Sequence, residues 1–128
     1  MKILGIGVDL IKNQRIKRLI KKNNFIKRTF SKNEIDHFKK YRNNDNYYSK
    51  RFAAKESFSK AFGTGIRNDL NFKDIEILNN RLGKPYFLKN KKIDKLIDKR
   101  FKTKKYNLFL SISDEKDYSI AFTILQKK

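Results

Sequence analysis

The chain has 128 residues, of which 38% are apolar, enough for one compact domain but too few for two independent ones. Its 33 Lys and Arg against 13 Asp and Glu give a formal net charge of +20, which favours nucleic acid, a membrane surface, phosphorylated ligands or an acidic protein as partners. The lack of Cys excludes disulfides and thiolate chemistry and fits a reducing cytoplasm, and no apolar run approaches the ~20 residues that a membrane span needs.

Residues 2–10 are predicted to form a strand, because apolar side chains alternate along them. One face of this strand carries Leu4, Ile6, Val8 and Leu10. The other face carries Ile3, Gly5, Gly7 and Asp9. Because the two glycines have no side chains, they would leave an empty space next to the Asp9 carboxylate. Because Asp is disfavoured inside strands, Asp9 is either a functional acid or the N-cap of the helix that follows.

Two helices are predicted after this strand. Residues 12–22 have helical spacing, with a buried stripe of Ile16, Leu19 and Ile20. Ser31 and Glu34 match a capping box, which predicts a second helix from residue 32 to about 41. The Asn-rich residues 42–47 are predicted to be a loop.

A third helix is predicted over residues 48–62, ending at Gly63-Thr64-Gly65. Its core face carries Ala54, Phe58, Ala61 and Phe62. A second face carries Glu56, Ser59, Lys60 and Gly63 together with Phe52, and Arg51 and Lys55 flank the boundary. Gly63 and Gly65 would end the helix in left-handed conformations and leave backbone N–H groups open to an anion. The plainer alternative is a surface pair of Glu56 with Lys60 and a simple helix stop.

The C-terminal half is predicted to be mainly β-structure. Residues 72–79 and 85–88 are predicted as two strands of a hairpin, residues 91–101 as a short basic helix, and residues 107–113 and 118–125 as the last two strands. The whole chain, residues 1–128, is therefore predicted to be one α+β domain with an antiparallel sheet and packed helices.

Asp9 and Glu56 together predict a two-carboxylate site for a hard cation. Mg²⁺ is typically held by one or two carboxylates, substrate phosphates and water. The sequence has no Cys and one His, His37, so it offers no cluster for zinc. His37 is predicted to be a surface or edge residue.

Five segments resemble the holo-acyl-carrier-protein synthases, which are small bacterial 4′-phosphopantetheinyl transferases. They are GIGVDL (5–10), RFAAKESFSKAFGTGI (51–66), FKDIEIL (72–78), GKPY (83–86) and SISD (111–114). The 51–66 segment is highly specific for the family. The resemblance implies the fold of that family and transfer of phosphopantetheine from coenzyme A to a serine of apo acyl carrier protein in fatty acid biosynthesis. It also implies Mg²⁺ dependence, release of adenosine 3′,5′-bisphosphate, and a homotrimer with active sites between subunits.

The resemblance also implies roles for single residues. Asp9 and Glu56 match the metal-binding acids, and Lys60 matches a lysine that faces the phosphates. The predicted coenzyme A pocket comprises Arg51, Ser59, Lys60, Gly63, Thr64 and Gly65, with Lys84 and Pro85 resembling a wall from a neighbouring subunit. The acceptor of the serine proton is either Glu56 or a water bound to the metal. One departure is Asp114, where the family usually has His; an Asp there would repel a phosphate.

A basic cluster is predicted to bind the carrier protein, because no acid occurs between Asp9 and Glu34. Lys is abundant throughout the chain, so only such clustered charge counts as functional evidence. Arg15 matches a carrier-contacting arginine of the family, and the further predicted contacts are Arg18, Lys21, Lys22 and Phe25. The alternatives are a solvated helix face for this cluster and, for the whole chain, a basic nucleic-acid-binding protein or a non-catalytic trimeric remnant. No membrane partner is expected.

Overall fold

The computed structural model of the chain describes residues 1–22, 24–40, 46–67 and 69–128. The strands are β1 (Lys2–Lys12), β2 (Glu76–Asn79), β3 (Pro85–Leu88), β4 (Tyr106–Asp114) and β5 (Tyr118–Lys127). The helices are α1 (Asn13–Leu19), α2 (Phe25–Thr29), α3 (Lys32–Lys40), α4 (Tyr47–Phe62) and α5 (Lys91–Phe101), and a 3₁₀ turn covers Phe72–Asp74. Among the helices that these residues form, none is long and apolar enough to cross a bilayer.

The main sheet has the order β1-β5-β4, and both of its strand pairs are antiparallel. Strands β2 and β3 form a separate antiparallel hairpin. The long helix α4 packs on the main sheet against β1 and β5. These features confirm the predicted α+β class and its antiparallel sheet.

Several predicted boundaries differ from the structure. Strand β1 runs on to Lys12, which pairs with Tyr118, so the first helix begins at Asn13 and not at residue 12. Helix α2 was missed because it spans only five residues and its N-cap, Asn24, is left-handed without a side-chain cap. The first part of the predicted strand 72–79 is a 3₁₀ turn closed by a capping box. Residue 41 of the predicted second helix and residues 42–45 of the predicted loop lie outside the described residues.

Helix α4 is buried on nearly every side. Thirteen of its 16 residues are buried, and they include Phe52, which forms part of the core. The prediction that Phe52 and Ser59 lie on a face away from the core, with Arg51 and Lys55 at its boundary, is therefore wrong. The physical reason is that the sheet covers one side of α4 while α1, β2 and the buried Glu34 of α3 contact others, so polar and charged side chains of α4 find their partners inside the protein.

The two glycines of β1 allow α4 to lie directly on the strand. A Cβ atom at Gly5 would come within 1.8 Å of the Ala61 carbonyl oxygen, and one at Gly7 would come within 1.8 Å of the Ser57 carbonyl oxygen. The prediction of an empty space beside Asp9 is thus wrong, because the backbone of α4 fills it. The close approach places Asp9 beside the second half of α4.

We expect Gly7→Ala to lower the free energy of unfolding by about 2–3 kcal/mol, because the new methyl group forces β1 and α4 apart. Urea unfolding would measure this loss. The exposed Ser113 of β4 offers a control, since Ser113→Ala should change the free energy by no more than about 0.5 kcal/mol. Equal stability of the two variants would show that the close packing of β1 on α4 is not required.

The face of the sheet opposite α4 is apolar and exposed. Its large side chains are between 39% and 62% exposed: Ile6, Val8, Leu10, Phe109, Ile120 and Phe122. They form rows across the strands, as in the pairing of Val8 with Phe122. A contiguous apolar face of this kind is typical of a protein–protein contact.

Candidate active site

Asp9 lies next to one turn of α4. It sits on β1 opposite Ala121 of β5, on the face that packs against the helix. The ammonium group of Lys60 donates hydrogen bonds to the Val8 carbonyl oxygen at 2.9 Å and to Asp9 Oδ1 at 3.2 Å. Since Lys12 is the N-cap of α1, Asp9 is not the cap of that helix. The ion pair of Lys60 joins two distant segments, unlike the surface pair with Glu56 that was the plainer alternative.

The Glu56 carboxyl group, one turn before Lys60 on α4, is within electrostatic reach of Asp9. Burial raises the pKa of Glu56, and the negative charge of Asp9 raises it further. The positive charges of Lys60 and Arg15 lower the same pKa. Two carboxylates that repel each other in a half-buried place are stabilised by a cation between them.

The donor set at this place suits magnesium. Among residues 1–22, 24–40, 46–67 and 69–128, no three or more His, Cys, Asp and Glu side chains are grouped so that they could hold a metal ion. Mg²⁺ is commonly bound by one or two carboxylates, with water and phosphate oxygens completing its shell. The two acids therefore fit a magnesium ion that is shared with a phosphate ligand.

The end of α4 is closed by its own backbone. Gly63 and Gly65 have φ angles of 98° and 76°, which confirms the predicted left-handed conformations. Their N–H groups both donate to the Ser59 carbonyl oxygen, at 2.9 and 3.4 Å. The prediction that these groups are open to an anion is thus wrong. Thr64, between the two glycines, is half-buried and lines a groove of about 290 Å³ together with Arg67 and Arg100.

Ser59 and Arg51 do not present their side chains to solvent. Ser59 is 1% exposed, and its hydroxyl donates to the Glu56 carbonyl oxygen at 2.7 Å. Arg51 is 2% exposed; its guanidinium lies over the Tyr47 ring and donates to Asn79 Oδ1 at 2.5 Å. Direct contact of either side chain with a coenzyme, as predicted, is inconsistent with this burial. Arg51 joins α4 to β2, whereas the Ser59 side chain bonds within α4.

Lys84 and Pro85 lie at the turn of the β2–β3 hairpin. Lys84 is exposed and Pro85 is half-buried. The turn is held by hydrogen bonds from Asn79 Nδ2 to the Gly83 carbonyl oxygen and from Asn80 N to the Lys84 carbonyl oxygen, both at 2.9 Å. In the part of the chain that the structure describes, Lys84 and Pro85 form no hydrogen bond or ion pair with Asp9, Glu56 or Lys60.

Asp114 has a structural partner. Its Oδ2 atom accepts a hydrogen bond at 3.0 Å from Asn46, the left-handed residue that precedes α4. The carboxylate at this position thus helps to hold the start of the helix. His37 is half-buried and stacks on Tyr47 at 5.8 Å between ring centroids, which confirms that it lies at an edge.

The predicted carrier-binding residues divide into two groups. Arg15, Arg18, Lys21 and Lys22 are exposed, and Arg15 is close enough to Glu56 to lower its pKa. Phe25, in contrast, is 6% exposed and packs edge-on against Phe30 in the core. The prediction that Phe25 contacts a partner is therefore wrong, because its ring is part of the buried core.

The sequence reasoning missed a buried ion pair. Lys55 and Glu34 have side chains that are 0% exposed, with Lys55 Nζ 2.7 Å from Glu34 Oε1. The capping box identified Glu34 correctly, since Ser31 N donates to Glu34 Oε1 at 2.9 Å. The only further signal was Lys55 itself, a charged residue one turn after Arg51 on a helix that carries many apolar residues.

Comparisons with known proteins agree with one another. The sequence profile of the 4′-phosphopantetheinyl transferase superfamily matches residues 5–123. A holo-acyl-carrier-protein synthase of Pelagibacter ubique is 61% identical over 128 residues, which cover 100% of this chain and 100% of that relative. The crystal structure of a holo-acyl-carrier-protein synthase from Neisseria meningitidis has a TM-score of 0.87 at 38% identity, covering 98% of this chain and 99% of the other. A synthase from Bacillus anthracis, in complex with CoA (3′,5′-ADP), has a TM-score of 0.82 at 32% identity, with both chains covered completely.

Proposed function

This chain belongs to the 4′-phosphopantetheinyl transferase superfamily, among the holo-acyl-carrier-protein synthases, and from this membership we propose its reaction. The enzyme transfers the 4′-phosphopantetheine group from coenzyme A to a serine of an apo acyl carrier protein. The second product is adenosine 3′,5′-bisphosphate. The observation that carries the proposal is the meeting of Asp9 from β1 with Glu56 and Lys60 from α4.

The metal site we propose consists of the Asp9 and Glu56 carboxylates. A bound Mg²⁺ would supply positive charge for the diphosphate of coenzyme A and hold its oxygens in place. Lys60 carries a further positive charge at this site, and its ammonium group can turn from Asp9 to the phosphate oxygens. It would offset the charge that develops on the leaving phosphate.

The serine hydroxyl must lose its proton as it attacks phosphorus. We propose Glu56 as the acceptor, because its half-buried carboxylate lies beside Asp9 and Lys60, where the diphosphate would be held. The serine Oγ–P bond forms, the P–O bond to adenosine 3′,5′-bisphosphate breaks, and the serine proton moves to the carboxylate. Because a carboxylate has two oxygens, a role of Glu56 in holding the ion would be compatible with its role as proton acceptor.

The reaction is tested by mass spectrometry of an apo acyl carrier protein. After incubation with this chain, coenzyme A and Mg²⁺, the carrier should gain the mass of one phosphopantetheine group. The gain should disappear when the metal is chelated with EDTA and return when Mg²⁺ is added in excess. An unchanged carrier mass under all conditions would overturn the proposed function.

The proposed assembly is a homotrimer with active sites between subunits. The exposed apolar face of the main sheet supports it, since a face with Leu10 at 62% and Ile6 at 57% exposure is costly in water. Among the described residues, Lys84 and Pro85 do not bond to Asp9, Glu56 or Lys60 of the same chain. This fits a hairpin that completes the site of a neighbouring copy. Light scattering after size exclusion should give three times the mass of one chain. We place the enzyme in the cytoplasm, in fatty acid biosynthesis.

The exposed basic residues of α1 are proposed to bind the acidic carrier. We expect Arg15→Glu to raise the KM for the carrier about tenfold or more while the KM for coenzyme A changes less than about twofold. Steady-state kinetics with each substrate varied in turn would measure the two effects, and moderate salt should reduce the difference.

Lys95→Glu is the matched control for this charge reversal. Lys95 is also an exposed helical residue, but it lies on α5. Its variant should keep both KM values. Equal changes for the two substrates in Arg15→Glu would refute a carrier-specific role for α1. The alternative of a basic nucleic-acid-binding protein has no support in the comparisons above.

A further inference from the structure

Buried side chains form hydrogen bonds with the backbone groups along one edge of the β2–β3 hairpin. Within the described ranges β2 pairs only with β3, so the outward backbone groups of its other edge need partners from elsewhere. The Ile77 N–H donates to Glu34 Oε2 at 3.1 Å, and the Ile75 carbonyl oxygen accepts from Lys55 Nζ at 2.5 Å. The ion pair thus takes the place that a third strand would fill.

The hydrogen bonds of this ion pair are saturated. Lys55 uses its three donors on Glu34, on the Ile75 carbonyl oxygen and on the Phe72 carbonyl oxygen at 2.8 Å. Glu34 accepts in addition from the backbone of Ser31 and of Ile77. A buried ion pair adds little net stability compared with apolar residues, but it fixes geometry because any displacement leaves a charge unsatisfied.

A second link joins the other end of β2 to the same helix. Arg51, one turn before Lys55, binds the Asn79 side chain, and Asn79 binds the Gly83 carbonyl oxygen in the hairpin turn. Helix α4 therefore holds β2 at both ends. The hairpin turn with Lys84 and Pro85 is thus fixed relative to α4 in the subunit that would present it to a neighbouring copy.

We propose that Glu34 and Lys55 are positioning residues for coenzyme A binding. They act through the hairpin, whose Lys84–Pro85 segment they hold in the orientation that forms a wall of a neighbouring copy's coenzyme pocket. This inference rests on the proposed function, and it assigns a role to a buried pair on α3 and α4 that touches neither substrate.

The test uses the double variant E34Q/K55M, which removes both charges and so avoids an unpaired buried ion. If the pair positions the hairpin, the KM for coenzyme A should rise about tenfold while kcat and the KM for the carrier stay within about twofold. Titration calorimetry with adenosine 3′,5′-bisphosphate should show the same loss of affinity, about tenfold. Unfolding by urea establishes that the variant is folded.

Tyr106→Phe is the control for a loss of stability alone. It removes the hydrogen bond from the buried Tyr106 hydroxyl to Asp94 at 2.5 Å, which lies between β4 and α5. This variant should keep the wild-type KM for coenzyme A. A folded E34Q/K55M variant with wild-type KM and wild-type affinity, or with equal losses for both substrates, would overturn the positioning role.

A fallback variant and an assay of the wild-type chain complete the test. If E34Q/K55M does not fold, Asn79→Ala breaks the second link and is judged by the same KM values and calorimetry. The wild-type chain is assayed first on an apo carrier. Failure of the wild type would refute the proposed function, whereas an active wild type with an unaffected variant would refute only the positioning role.

Discussion

Glu56→Gln is expected to lower kcat about 1,000-fold or more, because it removes both a metal ligand and the proposed proton acceptor. The amide keeps the shape of the side chain. Glu56 is half-buried near Asp9, so removing one of two repelling carboxylates should not destabilise the fold. Circular dichroism and urea unfolding should therefore match the wild type. Rates of carrier modification at saturating coenzyme A and Mg²⁺ would measure the loss.

Glu115→Gln is the matched control for this change. Glu115 is exposed at the β4–β5 turn, where its backbone oxygen accepts hydrogen bonds from Asn13 and Asn46. The substitution removes the same charge and leaves those bonds in place, so its kcat should equal that of the wild type. A wild-type rate for Glu56→Gln would show that this carboxylate has no part in the reaction.

Lys55→Met is expected to lower the free energy of unfolding by about 3–5 kcal/mol, because it leaves Glu34 as an unpaired buried charge. The Phe72 and Ile75 carbonyl oxygens would also lose their donor. Urea unfolding at pH 7 would measure the loss.

The E34Q/K55M double variant separates this effect from general damage to the core. Without either charge, most of the lost stability should return. A loss below about 1 kcal/mol in Lys55→Met alone would mean that the cost of an unpaired Glu34 is small, and that the ion pair is not what holds the hairpin edge.

The strands and most helices, in their order along the chain, could be predicted because the local sequence pattern determines them. The alternation of β1, the capping box of Ser31 and Glu34, and the left-handed glycines after α4 are all properties of neighbouring residues, and the structure confirms each of them. Helix α2 has only five residues, which is too few for a periodic signal to stand out.

The environment of α4 could not be predicted because its partners come from distant segments. Arg51 and Lys55 read as boundary residues of an amphipathic helix, but Asn79 and Glu34 bind them in the interior. Phe25 was predicted to belong to a basic surface for the same reason, since Phe52 of α4, whose ring centroid lies 6.2 Å away, is distant in sequence. The prediction of empty space beside Asp9 was likewise wrong, because it took no account of the helix that the two glycines allow to approach.

The central claim is that carboxylates from β1 and α4 hold one divalent ion together with a phosphate ligand. Anomalous diffraction from crystals grown with Mn²⁺ and coenzyme A tests it most directly, since Mn²⁺ replaces Mg²⁺ at oxygen sites. We expect a single peak about 2.0–2.3 Å from an oxygen of Asp9, an oxygen of Glu56 and a coenzyme phosphate oxygen. A peak bound to other residues, or a bound coenzyme whose diphosphate lies away from both acids, would contradict it.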